Sequence, residues 1–249
     1  MRGDILKKKL MVLCAVAIII STCLSGCKMN SGKIRFGSAG IGGTYQIFGD
    51  TFANLISSKS KKYNIEVKTT AGSAANLRLL SKDYIQMAVA QMDLINDAYN
   101  RTGIFENDKK YQGYRAVASL YTEACQIVVP ADSDIQSMDD LEGKKVCIGE
   151  EESGTEQNAL QILNAYGLNE RLVDTVNLNY TDAAKKLKSG DIDAFFCTAG
   201  VQTTVINELS KQCKIRLVSL DQKGVSRLKK SYKFYTEYTI PAGTSVNQT

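Results

Sequence analysis

Strand-length apolar runs alternate with segments of helical period, joined by glycine-and-hydroxyl turns, and the pattern occurs twice along the chain. In the first series Ile34-Arg35-Phe36-Gly37 reads as a strand and Gly40 to Thr44 as a turn. Phe48, Phe52, Leu55 and Ile56 then recur at helical spacing. Ile65 to Thr69 alternates as a strand and stops at Ala71-Gly72-Ser73. The next helix turns Ala74, Leu77 and Leu80 inward, with Ser73 placed to cap it, and Ile85 to Ala90 forms a third strand. A second series begins near residue 125. Gln126 to Val129 ends at Pro130, and Lys145 to Gly149 precedes Glu150-Glu151-Glu152-Ser153-Gly154-Thr155. A helix carrying Leu160, Ile162, Leu163 and Tyr166 ends at Gly167. Val173 to Leu178, Ile192 to Phe196 and Ile215 to Leu220 are further strands, with helices at 181–189 and 201–211. Strands alternating with helices require crossover connections, so the expected class is α/β with largely parallel sheets, and two series imply two lobes.

The N-terminus stands outside this pattern. Arg2, Lys7, Lys8 and Lys9 precede an apolar run from Leu10 to Leu24, followed by Leu24-Ser25-Gly26-Cys27. A basic start, a short apolar stretch and small residues make an export signal, and the run is shorter than the roughly 20 residues of a comfortable membrane span. Leu-Ser-Gly-Cys resembles the bacterial lipobox, which implies cleavage before Cys27 and acylation of its thiol. The expected organisation is a signal at 1–26, a first lobe at 27–122, a second lobe at 123–244, and at 245–249 the start of a return to the first lobe. On this reading the first lobe is incomplete at its C-terminal end.

Charge and composition remove several functions. The net charge is +5, but the signal holds four basic residues and one acid, which leaves 27 basic and 25 acidic residues and a net +2 in the remainder. That balance is not a nucleic-acid footprint. Histidine is absent altogether, which excludes Ser-His-Asp and Cys-His catalysis and all histidine metal ligation. Cys125, Cys147, Cys197 and Cys213 remain after the signal and Cys27, without Cys-x-x-Cys or metal-like spacing. Cys147 and Cys197 sit in apolar strand-like runs and read as buried thiols. No cofactor and no metal are expected.

Three turns share one chemistry. Gly42-Gly43-Thr44, Gly72-Ser73 and Ser153-Gly154-Thr155 each precede a helix. A helix N-terminus offers unpaired N–H groups and the positive end of the macrodipole, which favour an anion. Taken singly, each turn is as well explained as an ordinary helix cap. No Gly-x-x-x-x-Gly-Lys phosphate loop is present.

The lipobox, Gly42-Gly43-Thr44-Tyr45 and the run from Thr70 through Gly72-Ser73 to Leu80 resemble the TAXI family, solute receptors of one branch of the TRAP transporters. The resemblance continues through Ala88 to Asp93, Ser119 to Glu123, Gly149 to Thr155, Asp191 to Phe196 with Ala199-Gly200, and Ile240 to Thr244. It implies a two-lobed fold of the periplasmic-binding-protein type (type II), holding a small organic anion such as glutamate or 2-oxoglutarate. A TRAP permease would be the membrane partner, and the lipid bilayer would hold the receptor through acylated Cys27 at the extracytoplasmic face of the membrane. It also implies ligand contacts at Gly43, Thr44, Tyr45, Ser73, Gln91, Tyr121, Ser153, Thr155 and Gly200. Two positions depart from the family pattern. Gln46 stands where a second aromatic is common, which leaves the ligand open, and Thr122 stands where proline is common. Receptors of this kind continue beyond the equivalent of Ile240-Pro241-Ala242-Gly243, hence the expectation of a truncated product.

Several residues carry two readings. Tyr45 either meets the ligand or closes the core edge. Gln91 follows a strand, where ligands of open α/β sheets sit, and is favoured as a contact. Asp93 would repel an anion and fits a helix cap or a lobe-to-lobe partner. Arg78 is a candidate anion clamp on a helix, and Glu150, Glu151 and Glu152 read as a solvated acidic step. Three alternatives stand beside the TRAP receptor: the binding lipoprotein of an ABC importer, a two-lobed enzyme with Cys197 or Cys147 as nucleophile, and a surface sensor. The chain is expected not to be an enzyme, since no histidine can activate a thiol.

Overall fold

The computed structural model describes residues 33–110 and 112–244. The signal segment, Cys27 and residues 245–249 lie outside the described residues.

The first series builds a three-stranded sheet from β1 (Lys33–Gly37), β2 (Asn64–Lys68) and β3 (Met87–Ala88), in the order β2-β1-β3. β1 and β3 run parallel, with Phe36 opposite Met87 and Gly37 opposite Ala88. The third strand is shorter than expected, yet its backbone bonds extend past it: Gln86 N–H donates to Arg35 O and Val89 N–H to Gly37 O. Helices α1 (Thr44–Lys59), α2 (Ser73–Ser81) and α3 (Met92–Asn100) follow the three strands. Phe36 packs on Phe48 and Phe52, with ring centroids 6.2 and 5.8 Å away. The buried stripe of α1 runs through Tyr45 and Gly49 beside Phe48, Phe52 and Ile56. Leu55 falls off that stripe and is exposed, contrary to expectation.

The second series builds five strands: β4 (Ala124–Pro130), β5 (Lys145–Gly149), β6 (Asp174–Asn177), β7 (Ala194–Ala199) and β8 (Ile215–Leu217), in the order β6-β5-β7-β4-β8. β5 is parallel to both β6 and β7, but β4 is antiparallel to β7 and β8. The sheet is therefore mixed rather than largely parallel. The strand that brings the chain in from the first lobe runs against the crossover strands that follow it, and hydrophobic periodicity carries no sign of strand direction. Pro130 is opposite Ile215 only, because the register with β7 stops at Val128. Its missing donor thus costs no bond to β7, and Ala131 N–H continues the contact to Lys214 O at 3.1 Å.

Alternation along β7 separates two cores, since successive side chains point to opposite faces. Phe196 packs with Ile127, Val146, Ile148 and Ile162 under α4 (Gly154–Ala165) and α7 (Gln222–Ser231). Phe195 packs with Val128, Cys147, Leu187 and Ile206 under α5 (Tyr180–Ser189) and α6 (Thr204–Gln212). Cys147 and Cys197 are buried, as expected, and all four thiols from Cys125 onward are free. No helix among the described residues is long and apolar enough to cross a membrane.

Candidate functional site

Each turn singled out in the sequence ends at a helix N-terminus, and the three open on one small cavity of about 40 Å³ between the lobes. Gly43 is the N-cap of α1, Gly72 of α2 and Ser153 of α4. A fourth N-terminus joins them at Asn179 and Tyr180, the start of α5. Gly72 adopts φ +129, a backbone that side-chain-bearing residues rarely take, and its Cα faces Ser153 across the cleft. Among the described residues lining the cavity none is cationic, and two, Glu123 and Glu150, are acids.

Of the nine residues expected to contact ligand, Gly43, Thr44, Tyr45, Ser73, Gln91, Ser153 and Thr155 line this cavity. Tyr121 stands at its edge against Glu123, and a methyl group placed on Gly200 would lie 3.5 Å from Thr44 Oγ1 and 4.0 Å from the Tyr121 ring. The structure therefore brings seven of the nine onto the cavity and sets Tyr121 and Gly200 beside them without lining it. Their hydroxyls are not idle. Ser73 does not cap α2: Gly72 occupies the N-cap, and Ser73 Oγ instead accepts from Gln91 N–H at 3.0 Å. Ser153 does cap α4, accepting from Glu156 N–H at 3.0 Å. The Glu156 carboxylate reaches back to Glu152 N–H at 2.8 Å, a capping arrangement that fixes the turn. Thr155 Oγ1 is paired with the Tyr180 hydroxyl, which donates to Thr198 O at 2.9 Å.

The residue passed over in the sequence is Glu123. Tyr45 donates to its Oε2 at 3.1 Å and Tyr121 to its Oε1 at 3.4 Å, with the two rings edge-on at 6.5 Å. Burial pushes its carboxyl up to about 7, partly offset by hydrogen bonds from Tyr45, Gln91 and Tyr121, and Asp93 adds to the rise. Burial likewise raises Tyr45 and Tyr121, with the Glu123 charge second, so both hydroxyls stay protonated donors at neutral pH. Tyr45 is thus both a core-edge residue and a member of the site. The sequence signals for Glu123 were its place at the end of the TAXI-like run from Ser119 and a carboxylate two residues after Tyr121 at the start of a strand, with no basic neighbour.

Polar contacts join the lobes around this cavity. Ala75 N–H donates to Glu152 O at 3.1 Å, Thr181 Oγ1 to Ile41 O at 3.2 Å, and Gln91 Nε2 to Asn158 Oδ1 at 2.8 Å. Asp93 is a lobe-to-lobe partner: its Oδ2 faces Asn158 Nδ2 at 3.4 Å, and its Oδ1 accepts from Leu94 N–H. Arg78 does not reach the cavity. Its guanidinium pairs with Glu152 across the lobes and with Asp108 at 2.8 Å, lies over the Phe105 ring, and donates to Ile104 O. One member of the acidic step, Glu152, is therefore an interlobe partner. Another, Glu150, lines the cavity, and burial raises its carboxyl. On the far side of Tyr121 and Glu123 lies an open groove of about 1790 Å³, bounded by residues such as Phe36, Leu77, Val117 and Leu120. No helix N-terminus of the three turns opens on it, so the small cavity is the candidate site.

A sequence model described as the NMT1-like family matches residues 36–249. The chain belongs to the NMT1-like family. Its fold resembles the alkanesulfonate-binding protein SsuA from Xanthomonas axonopodis pv. citri bound to MOPS, with a TM-score of 0.51 at 18% identity over 76% of this chain and 60% of that one. It also resembles a binding protein component of an ABC phosphonate transporter from Pseudomonas aeruginosa, with a TM-score of 0.52 at 12% identity over 80% and 73% of the two chains. A putative L-cystine ABC transporter protein from Listeria monocytogenes gives a TM-score of 0.51 at 16% identity over 81% and 89%. At these identities the likeness is one of fold: this NMT1-like chain has the two-lobed α/β architecture of periplasmic solute-binding proteins. It spans 60% of the length of the Xanthomonas protein. Thiol chemistry finds no support in the NMT1-like site, because burial raises Cys125 to about 11 and pushes Cys147 and Cys197 up as well.

Proposed function

We propose that this chain is the solute receptor of a membrane importer, closing its two lobes on a small organic acid without catalysing a reaction. The observation that carries the reading is the convergence of four helix N-termini, from both lobes, on one interlobe cavity. Such termini bind anions through backbone N–H groups and need no lysine or arginine. The hydroxyls of Thr44, Ser73 and Thr155 are the side-chain donors that the ligand would recruit, Ser73 and Thr155 by exchanging their present partners. The ligand-binding role of Gly43, Thr44, Tyr45, Ser73, Gln91, Tyr121, Ser153, Thr155 and Gly200 belongs to this proposal. The family membership and a fold shared with proteins named for sulfonate, phosphonate and cystine systems favour an ABC importer as the permease. A TRAP permease is the second reading, favoured by the TAXI-like runs around Gly43, Ser73 and Thr155. The Leu24-to-Cys27 motif supports an extracytoplasmic receptor, lipid-anchored through Cys27.

The test is a thermal-shift screen of the purified protein against small carboxylates, amino acids, sulfonates and phosphonates. A ligand bound only by the native state at about 100 Kd adds about 2.7 kcal/mol. A hit in the screen, lost on Thr155→Val, supports the reading. A flat profile across the four classes refutes it. Co-purification with an ATP-binding subunit, or with a large ion-coupled permease, separates the two importer classes.

A further inference from the structure

We infer that the outward face of helix α7 is a docking surface for an anionic phospholipid bilayer, separate from the ligand cavity. Past Cys27 the chain holds 27 basic and 25 acidic residues, but the surplus is not spread evenly. Residues 222–233 carry Lys223, Arg227, Lys229, Lys230 and Lys233 and no acid, which leaves 22 basic and 25 acidic residues elsewhere, a net −3. This one short stretch therefore holds more than the whole positive surplus. The helix it forms is closely seated on its lobe. Gly224 and Leu228 are its buried residues, and a methyl group added to Gly224 would lie 2.0 Å from the Tyr166 phenol oxygen. At 100° per residue, Lys223, Arg227 and Lys230 fall within about 60° of one another, on the side away from Leu228. All three are exposed, and they span about 10 Å along the helix axis.

The fold itself has little use for this stripe. Lys229 pairs with Glu237 at 2.9 Å, but among the described residues no carboxylate pairs with Lys223, Arg227, Lys230 or Lys233. The nearest acid in sequence, Asp221, is engaged as the N-cap, accepting from Gly224 N–H. Lys229 and Lys230 in the last turn suit the helix dipole, whereas Lys223 in the first turn opposes it. Like charges three and four positions apart also repel, so an opposing negative surface relieves a cost that the fold leaves standing. None of Lys223, Arg227 and Lys230 lines the interlobe cavity or the open groove, so the stripe does not serve the ligand. Point charges set along a convex helix face fit a repeating array of phosphates better than a single small anion. The Leu24-to-Cys27 motif supports a receptor held beside a bilayer, where an anionic leaflet attracts clustered lysine and arginine. An acyl chain joined by a basic patch also makes the two-signal attachment that outlasts either signal alone.

Lysine acetylation of the full chain, read residue by residue by mass spectrometry, tests this. Phosphatidylglycerol vesicles should slow acetylation of Lys223 and Lys230 at least about fivefold relative to phosphatidylcholine vesicles, the factor that one cation gains near an anionic surface. Lys61, Lys62 and Lys185 should react equally on both. Salt at 1 M, where the screening length falls to about 3 Å, should abolish the protection. The readout is local, so insertion of the apolar run from Leu10 to Leu24 does not produce it. Arg227→Glu leaves both reporter lysines in place and should raise the phosphatidylglycerol needed for half-protection about tenfold or more. Equal rates on the two lipids, equal protection of the control lysines, or no effect of Arg227→Glu overturns the docking surface. Protection by soluble polyglutamate but not by vesicles overturns the bilayer in favour of an acidic protein partner. Each of these outcomes leaves the receptor reading in place, since α7 contributes no residue to the cavity lining.

Discussion

Replacing Glu123 by glutamine should stabilise the ligand-free protein above neutral pH and leave it nearly unchanged in acid. In the fold the Glu123 carboxyl titrates at about 7 instead of 4.5, chiefly because burial disfavours its charge. The unfolded chain releases this proton near pH 4.5 and the folded chain near 7. Between those values the folded state binds more protons than the unfolded state, so stability falls as pH rises through the window. At 1.36 kcal/mol per pKa unit the full loss is about 3 kcal/mol. Glutamine keeps the shape, accepts from one of the two tyrosines through its amide oxygen and can donate to the other through its amide nitrogen, and does not titrate. Urea denaturation of both proteins from pH 4.5 to 8, after exhaustive dialysis, gives the difference directly, with midpoints converted through a common slope. Asp93 and Glu150 are raised by burial too, but they are common to both proteins and cancel in the comparison. Curves that run parallel across the window would mean that Glu123 is solvated in the folded state, and the argument from burial would fail.

Three further outcomes are expected. Arg78→Ala removes the pairing to Glu152 and Asp108, partly exposed contacts worth about 1 kcal/mol, so the ligand-free protein should show a larger radius of gyration in solution scattering; an unchanged radius would remove Arg78 from closure. Gly154→Ala places a methyl group 1.6 Å from Gln91 Oε1, so despite the roughly 1 kcal/mol that alanine favours in a helix the variant should melt lower and lose the Gln91-to-Asn158 bond; a higher melting temperature would contradict the packing. Cys27→Ser should abolish incorporation of a labelled fatty acid in cells, and equal labelling would dismiss the anchor.

The sequence disclosed the elements better than their assembly. Strands and helices with strong apolar periodicity, such as Lys145 to Gly149 and the Leu160–Leu163 stretch, lie where expected. Helix α7 has only Val225 and Leu228 as apolar residues and gave no periodic signal, although Asp221 caps it through Gly224 N–H at 2.6 Å. The antiparallel course of β4 was illegible because alternation is the same in either direction. The convergent turns were visible as a chemistry, since glycine beside a hydroxyl has few other uses. Ser73 was assigned the wrong role because Gly72 and Ser73 compete for one cap, and only the backbone angle at Gly72 decides between them. Glu123 was illegible for a different reason. Its importance lies in burial and in two tyrosines, one of them 78 residues away in sequence, and neither is a local property.

The division of the cores explains why closure can be set by a ligand. Each apolar cluster lies within one lobe: Phe36, Tyr45, Ile65 and Val89 form one, Ala74, Leu77, Leu94 and Phe105 another, and the clusters of Phe195 and Phe196 belong wholly to the second lobe. Apolar burial therefore stabilises the lobes and contributes little to holding them together. What joins them is a handful of polar contacts, among them Ala75 to Glu152, Gln91 to Asn158 and Thr181 to Ile41. Such bonds are worth about 0.5–1.5 kcal/mol each after exchange with water, whereas bonds to a charged group are worth about 1.5–3 kcal/mol. Moving a two-state equilibrium from 1:99 to 99:1 takes about 5.5 kcal/mol of differential binding. An anion bridging the helix N-termini of both lobes with about three or four charge-assisted bonds would meet that requirement, and a ligand confined to one lobe would not.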